Sequence, residues 1–343
     1  MASTLSLVLL VFFFCQPTVW GRMRLLELTA ASGAGICKLM VETWGYVTTK
    51  DGYVLSLQRI PKGLSDNAPD QGKPPVLLQH GISMDGVTWL LNAPNQSLAF
   101  MLADSGYDVW IANSRGYWDW SWDELVAYDL PAIVLYVYHQ SGQMLHYVGH
   151  SQLVDKVKSA GLLSPVAYLS RISPLARAAV DNFLSETSCN KPIEGYMQEA
   201  RHRMHLLVDI VHWVITLGLG KTTSHDSTTD THMGQSLARD GTIAMYDYED
   251  RDKNTQHYGH HAPPEHNLTN IPNDLPLFFA HGGRDALSDV DDVKFLLDSL
   301  KTHDTTKLFL QFIEDYAHAD YIMALNAKQL VYDPLISFSR LHA

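Results

Sequence analysis

His146-Tyr147-Val148-Gly149-His150-Ser151-Gln152 carries a short apolar strand, Tyr147-Val148, straight into Gly-x-Ser-Gln. This is the front half of the Gly-x-Ser-x-Gly elbow, in which a strand turns sharply into a helix and holds a serine hydroxyl above the edge of a sheet. Glycine is needed two positions either side of the serine because a Cβ there would approach the opposite backbone. The second glycine is missing here, and Leu153 stands in its place. Half a motif also describes an ordinary turn serine, so the surrounding chain has to decide.

Working outward, strands and helices alternate. Tyr46 to Ile60 reads as a hairpin around Asp51-Gly52, flanked by Val47, Tyr53, Val54 and Leu57. Past a polar linker, Ser65 to Pro75, the run Val76-Leu77-Leu78 is a buried strand entering a tight loop at Gln79-His80-Gly81. Leu98 to Leu102 is helical and stops at Gly106, and Val109-Trp110-Ile111 is the next buried strand. Ser121 with Glu124 forms a capping box opening a helix that Pro131 kinks and Gly142 ends. Further strands are expected at Leu162-Leu163, Leu277-Phe278-Phe279 and Leu308 to Phe312, with a helix over Val293 to Leu300. The alternation predicts an α/β fold, a mostly parallel sheet with helices on both faces. There is no internal repeat.

Two more residues give the serine a chemical context. Asp285, in Gly282-Gly283-Arg284-Asp285, lies just past one expected strand, and His318, in Tyr316-Ala317-His318-Ala319-Asp320, follows the next. The chain order Ser151, Asp285, His318 is that of an α/β-hydrolase triad. His318 would take the hydroxyl proton of Ser151, and Asp285 would fix the imidazole tautomer and stabilise the imidazolium. A tetrahedral oxyanion needs two backbone N–H donors, for which Ile82, after His80-Gly81, and Gln152 are the candidates.

Leu78-Gln79-His80-Gly81, Leu98-Ala99-Phe100 through Gly106-Tyr107-Asp108-Val109-Trp110 to Asn113-Ser114-Arg115-Gly116, Tyr128-Asp129-Leu130-Pro131-Ala132 and the Ser151 stretch together resemble the acid lipase family, which includes gastric and lysosomal acid lipases. Asp85-Gly86-Val87-Thr88-Trp89 and Asp315-Tyr316-Ala317-His318-Ala319-Asp320 look most like its plant triacylglycerol lipase branch. The match covers most of Gly45 to Gly161 and Tyr246 to Ser339. The resemblance implies Ser151, Asp285 and His318 as the triad and Ile82 with Gln152 as oxyanion donors. It also implies hydrolysis of neutral lipid esters such as triacylglycerols at a lipid–water interface, with no cofactor and no metal.

The departures from that family are internal gaps. Between Ser151 and the strand expected at Gly161-Leu162-Leu163 only Gln152 to Ala160 remain, whereas a right-handed parallel crossover takes about a dozen residues or more. A longer basic and aromatic loop is missing between Arg115-Gly116 and Tyr117-Trp118, and a Cys-Glu-Glu-His-like stretch is missing near Gly45-Tyr46-Val47, which leaves Cys37 without its neighbour. Clean gaps inside close matches have the form of skipped exons. They define the rival expectation, a shortened lipase-like chain that binds lipid without turning it over.

The remaining features set compartment and partners. Met1 to Gly21 reads as a secretory signal peptide, with an apolar run from Leu5 to Cys15 and small residues near Val19 and Gly21, although it has no Lys or Arg; a membrane anchor is the alternative. Extracellular or lysosomal and vacuolar lumenal destinations follow from a signal peptide. Asn95-Gln96-Ser97 and Asn267-Leu268-Thr269 are glycosylation sequons. Cys37 and Cys189 remain after cleavage, too few for a disulfide scaffold. The net charge of −12 argues against nucleic acid as a partner, while 17 histidines bring the chain close to neutral near pH 5. Residues 22–172 and 231–343 are expected to build the hydrolase core and 173–230 a cap or lid. Within the cap, Met204 to Gly220 is apolar on nearly every face and fits a buried cap helix, a lipid-facing lid or, less well in length, a membrane span. His257, His260, His261 and His266 match no common zinc spacing and read as a surface loop.

Overall fold

The structure is a computed structural model describing residues 43–63, 72–81, 85–115, 122–149, 157–168, 244–248, 250–266 and 268–343. Ser151, Gln152, Ile82, Asn267, Cys37, Cys189, the signal segment and the cap region lie outside the described residues.

Eight strands form one sheet: β1 (Thr43–Thr48), β2 (Val54–Ile60), β3 (Pro75–Gln79), β4 (Asp108–Ala112), β5 (Leu145–Gly149), β6 (Val157–Leu163), β7 (Leu277–Gly282) and β8 (Leu308–Ile313). Their spatial order is β1-β2-β4-β3-β5-β6-β7-β8. The β1–β2 hairpin turns at Asp51-Gly52 as its sequence predicts, β2 meets β4 antiparallel, and the pairings from β4 through β8 are parallel. The carboxyl ends of β3, β5, β6, β7 and β8 therefore share one edge of the sheet, where α/β proteins place their ligands.

Side chains alternate across a strand, so each apolar run feeds two cores. On one face Val76, Leu78, Ile111, Val148 and Phe278 pack with Leu98 and Leu102 of α1 (Leu98–Asp104) and with Leu335 and Phe338. On the other, Leu77, Trp110, Tyr147 and Phe279 pack with Ile133, Val134 and Val137 of α2 (Leu130–Ser141) and with Leu296. A polar helix, α3 (Arg251–Tyr258), precedes β7; Leu296 belongs to α4 (Val290–Ser299), and Leu335 and Phe338 to α5 (Asp333–Leu341). Each fully buried leucine or phenylalanine contributes roughly 1.5–3 kcal/mol. This is the α/β-hydrolase architecture, a mostly parallel sheet covered by helices on both faces.

Three local departures from the expected elements have physical causes. The irregularity near Pro131 lies in the turn before it: Leu125–Asp129 is a π-helical turn closed by the Leu130 N–H on the Leu125 carbonyl. Pro131 in the first turn of α2 has no N–H, so it starts a helix more readily than it continues one. Gly142, with φ 69°, ends α2 in the left-handed conformation that glycine adopts without penalty.

The second departure is β6, which begins at Val157 rather than near Gly161 and leaves only residues 150–156 between it and β5. Buried Val157, Ser159 and Ala160 hold this extension, and Ser159 Oγ lies 2.7 Å from His146 Nδ1 of β5. The third is β8, which pairs with β7 and no other described strand. Its Phe309, Leu310 and Phe312 are 44%, 47% and 52% exposed, although the alternation predicts a sheet with helices on both faces. Among the described residues no helix is long and apolar enough to cross a membrane.

Candidate active site

At the end of β5, a Cβ on Gly149 would stand 2.6 Å from the Gln79 carbonyl oxygen of β3. This is the close backbone approach for which the elbow motif requires glycine, and here it is the first glycine that meets it. The loop after β3 is fixed from β4: the Gln79 side-chain amide donates to Ser114 Oγ at 3.0 Å, and the Ser114 N–H donates to His80 Nε2 at 3.1 Å. With Nε2 accepting, the His80 proton sits on Nδ1, which donates to the Gly81 carbonyl at 2.7 Å. Burial lowers the His80 pKa despite the Gly81 hydrogen bond and the charge of Asp85, so the ring holds this loop as a neutral imidazole. Gly86 N–H bonds Asn113 Oδ1 at 2.8 Å and completes the clamp.

The opposite wall is built from the ends of β7 and β8. A Cβ on Gly282 would overlap the Tyr316 carbonyl oxygen, and one on Gly283 would stand 2.5 Å from the Glu314 carbonyl oxygen. Without those Cβ atoms the two loops touch: Gly283 N–H donates to Ile313 O and Arg284 N–H to Tyr316 O, both at 3.0 Å. Asp285 and His318 are thereby brought together, with His318 Nδ1 at 3.1 Å from Asp285 Oδ2. The carboxylate is fully enclosed, and the imidazole is 11% exposed. Asp285 Oδ1 accepts the N–H groups of Leu287 at 2.9 Å and Ser288 at 2.7 Å. Burial pushes the Asp285 pKa up, but the charge and hydrogen bond of His318, with the Ser164 hydroxyl and the Ser288 N–H, outweigh it and hold the group below the ordinary carboxylate value.

Of the residues singled out in the sequence, Asp285 and His318 meet. Asp289 and Asp320, two other carboxylates nearby, serve the backbone: Asp289 caps α4 through the Asp291 N–H, and Asp320 accepts the Ala317 N–H at 2.8 Å, fixing the turn that carries His318. Asn95 is exposed on a short 3-10 turn, Pro94–Gln96. In the histidine-rich stretch, His257 stacks on Tyr248 with ring centroids 4.2 Å apart, and His261 Nδ1 lies 3.0 Å from Thr255 Oγ1.

One residue of the site was not anticipated. Ser164, wholly buried at the carboxyl end of β6, donates its hydroxyl to Asp285 Oδ2 and lies 2.8 Å from His318 Nδ1. It is the only described non-glycine residue with positive φ, at 53°. The legible signal was Ser164-Pro165 closing an apolar strand, a turn signature that carries no chemistry by itself.

Comparison with known proteins bears on the family and the fold. The family description "Partial alpha/beta-hydrolase lipase region" matches residues 38–93. Triacylglycerol lipase 2 of Arabidopsis thaliana is 38% identical over 406 aligned positions, covering 99% of this chain and 97% of that one. The alignment is longer than this chain of 343 residues, so the plant protein carries internal segments absent here. Gastric triacylglycerol lipase of Rattus norvegicus is 33% identical over 362 positions, covering 87% of this chain and 90% of that one. Among solved structures, an esterase of Pyrococcus furiosus shares the fold with a TM-score of 0.50 and 16% identity, over 87% of this chain and 90% of that one. Identity at this level over nearly the full length of a relative, on a hydrolase sheet, means that the chain belongs to the triacylglycerol lipase family of α/β-hydrolases, which its plant and gastric relatives represent.

Proposed function

We propose that this chain is a serine carboxylic ester hydrolase that cleaves neutral lipid esters such as triacylglycerols. The observation that carries the reading is the Asp285–His318 pair at the carboxyl edge of the sheet, downstream of Ser151 in triad order. His318 holds its Nδ1 proton toward Asp285, which makes Nε2 the basic position of the ring. Nε2 takes the Ser151 proton as Oγ attacks the ester carbonyl. The N–H groups of Ile82 and Gln152 receive the oxyanion, and the imidazolium returns its proton to the leaving alcohol. Water activated through the same nitrogen then releases the fatty acid and regenerates Ser151. The chemistry requires neither metal nor cofactor.

The same reading places the chain in the secretory pathway, with Met1 to Gly21 removed, Asn95 and Asn267 glycosylated, and an extracellular, lysosomal or vacuolar destination. Residues 173–230 would cap the site and meet the lipid surface, with no membrane span in the mature chain and no nucleic-acid partner.

A fluorophosphonate probe on the folded, monodisperse mature chain tests the assignment. Labelling that vanishes in Ser151→Ala supports it, and absence of labelling refutes it. Turnover of emulsified triacylglycerol compared with short-chain esters separates a lipase from a small-ester esterase. The short connection at residues 150–156 favours the rival, a lipid-binding chain without turnover. Inserting a glycine and a full-length helix after Gln152 should raise both melting temperature and turnover, and no change in either would remove that connection as the cause of any impairment.

A further inference from the structure

We infer that Ser164 is a positioning residue of the hydrolytic site: its hydroxyl bridges Asp285 and His318, so the imidazolium formed during catalysis is held by two acceptors rather than one. The inference rests on the reading of His318 as general base.

The proton count fixes the direction of each contact. Asp285 is ionised and can only accept, so the single Ser164 hydroxyl proton goes to Oδ2. The Ser164 oxygen is then an acceptor toward His318 Nδ1, at 2.8 Å, beside the 3.1 Å contact of the same nitrogen with Asp285. Nδ1–H is thus shared between the hydroxyl and the carboxylate, and neither can accept it if the proton moves to Nε2. No proton leaves Ser164 in this arrangement. The bridge holds the tautomer and stabilises the cation.

The backbone is built to deliver this hydroxyl. β6 lies between β5, which leads to Ser151, and β7, which leads to Asp285, so its end is the point nearest both. Ser164 N–H donates to the Ala280 carbonyl of β7 at 2.8 Å, and Ser288 Oγ donates to the Pro165 carbonyl at 2.7 Å, tying Ser164 to the loop that carries the acid. A serine held at φ 53° departs from the conformations an L residue favours, and such departures gather at functional sites. Among the described residues, His281, on β7, and Tyr321 also interact electrostatically with Asp285.

Ser164→Gly removes the hydroxyl and relieves the backbone at once, whereas Ser164→Ala removes the hydroxyl and keeps the unfavourable φ. Both are compared with wild type and His318→Ala for thermal melting, for kcat and KM on a soluble ester, and for the His318 pKa by NMR. In both Ser164 variants kcat should fall about tenfold, the value of one hydrogen bond lost in the transition state, with KM unchanged. The His318 pKa and the acid limb of the kcat/KM profile should move to lower pH. Ser164→Gly should melt no lower than Ser164→Ala. A Ser164→Gly protein with wild-type kcat and an unshifted His318 pKa overturns the inference while the base assignment stands. If His318→Ala retains turnover, the base assignment itself fails. The NMR titration decides the bridge even in a chain that turns over no ester.

Discussion

Gly282 at the end of β7 and Tyr316 in the loop after β8 are in direct backbone contact, with the Tyr316 carbonyl oxygen occupying the space a Cβ on Gly282 would need. The approach of Asp285 to His318 depends on it. Gly282→Ala should force the two loops apart, destabilise the fold by about 2–3 kcal/mol and suppress probe labelling of Ser151. Urea midpoints and fluorophosphonate labelling measured on the same preparation check both effects.

Asp285→Asn should fold and yet lose turnover by roughly 10³–10⁴-fold, because an amide can present its N–H to His318 and favour the wrong tautomer. Circular dichroism with kcat is the measurement, and near-normal kcat would remove Asp285 from the triad. The lowered Asp285 pKa also has a stability consequence. Its contribution is present above the unfolded carboxyl value near 4 and is lost as pH falls through the lower folded value.

His146 should make the fold sensitive to acid well before the carboxylates do. It is a fully buried residue of β5 that faces Ser159 of β6, and burial, with the charges of Lys158 and His342, pulls its pKa down to about 4 from 6.5. The unfolded chain takes up that proton below pH 6.5 and the folded chain does not, so stability falls as pH drops from 6.5 toward 4, by about 3 kcal/mol in all. Denaturant titrations at pH 7 and pH 4.5 should show a smaller difference in His146→Gln than in wild type.

Arg115 tests whether a buried charge needs each of its partners equally. Its side chain is 1% exposed and bonds Asp129 at 2.6 Å and Asp51 at 2.8 Å, with its guanidinium over the Tyr53 ring. Asp129 is as enclosed as the arginine, while Asp51, at the hairpin turn, is 24% exposed. Asp129→Ala should cost about 3 kcal/mol by leaving a buried cation undercompensated, and Asp51→Ala under about 1 kcal/mol because water replaces it. Chemical denaturation of the two variants gives the comparison.

Much of this was legible in the chain. Short apolar runs ending in Gly-rich or polar turns report strands buried on both faces, so most of the sheet, the Asp51-Gly52 hairpin and the places of Asp285 and His318 after their strands could be read locally. The Gly282-Gly283 pair was visible just past an expected strand, but not as the space that lets Glu314 and Tyr316 approach. Phe309, Leu310 and Phe312 lie in a run legible as a strand, but their exposure was not legible, because it depends on whether another element lies alongside.

The fold class could be read from the chain alone, as could the order Ser151, Asp285, His318 on which the proposed triad rests and, through Leu153 and the short run to β6, a departure from the elbow motif beside Ser151. The order of strands across the sheet, the start of β6 at Val157, and the meeting of Ser164 with Asp285 and His318 became legible only in the folded chain. Those partners lie 121 and 154 residues away along the chain. A serine before a proline carries no local signal of them, because its role is created when parallel strands bring their ends to one edge.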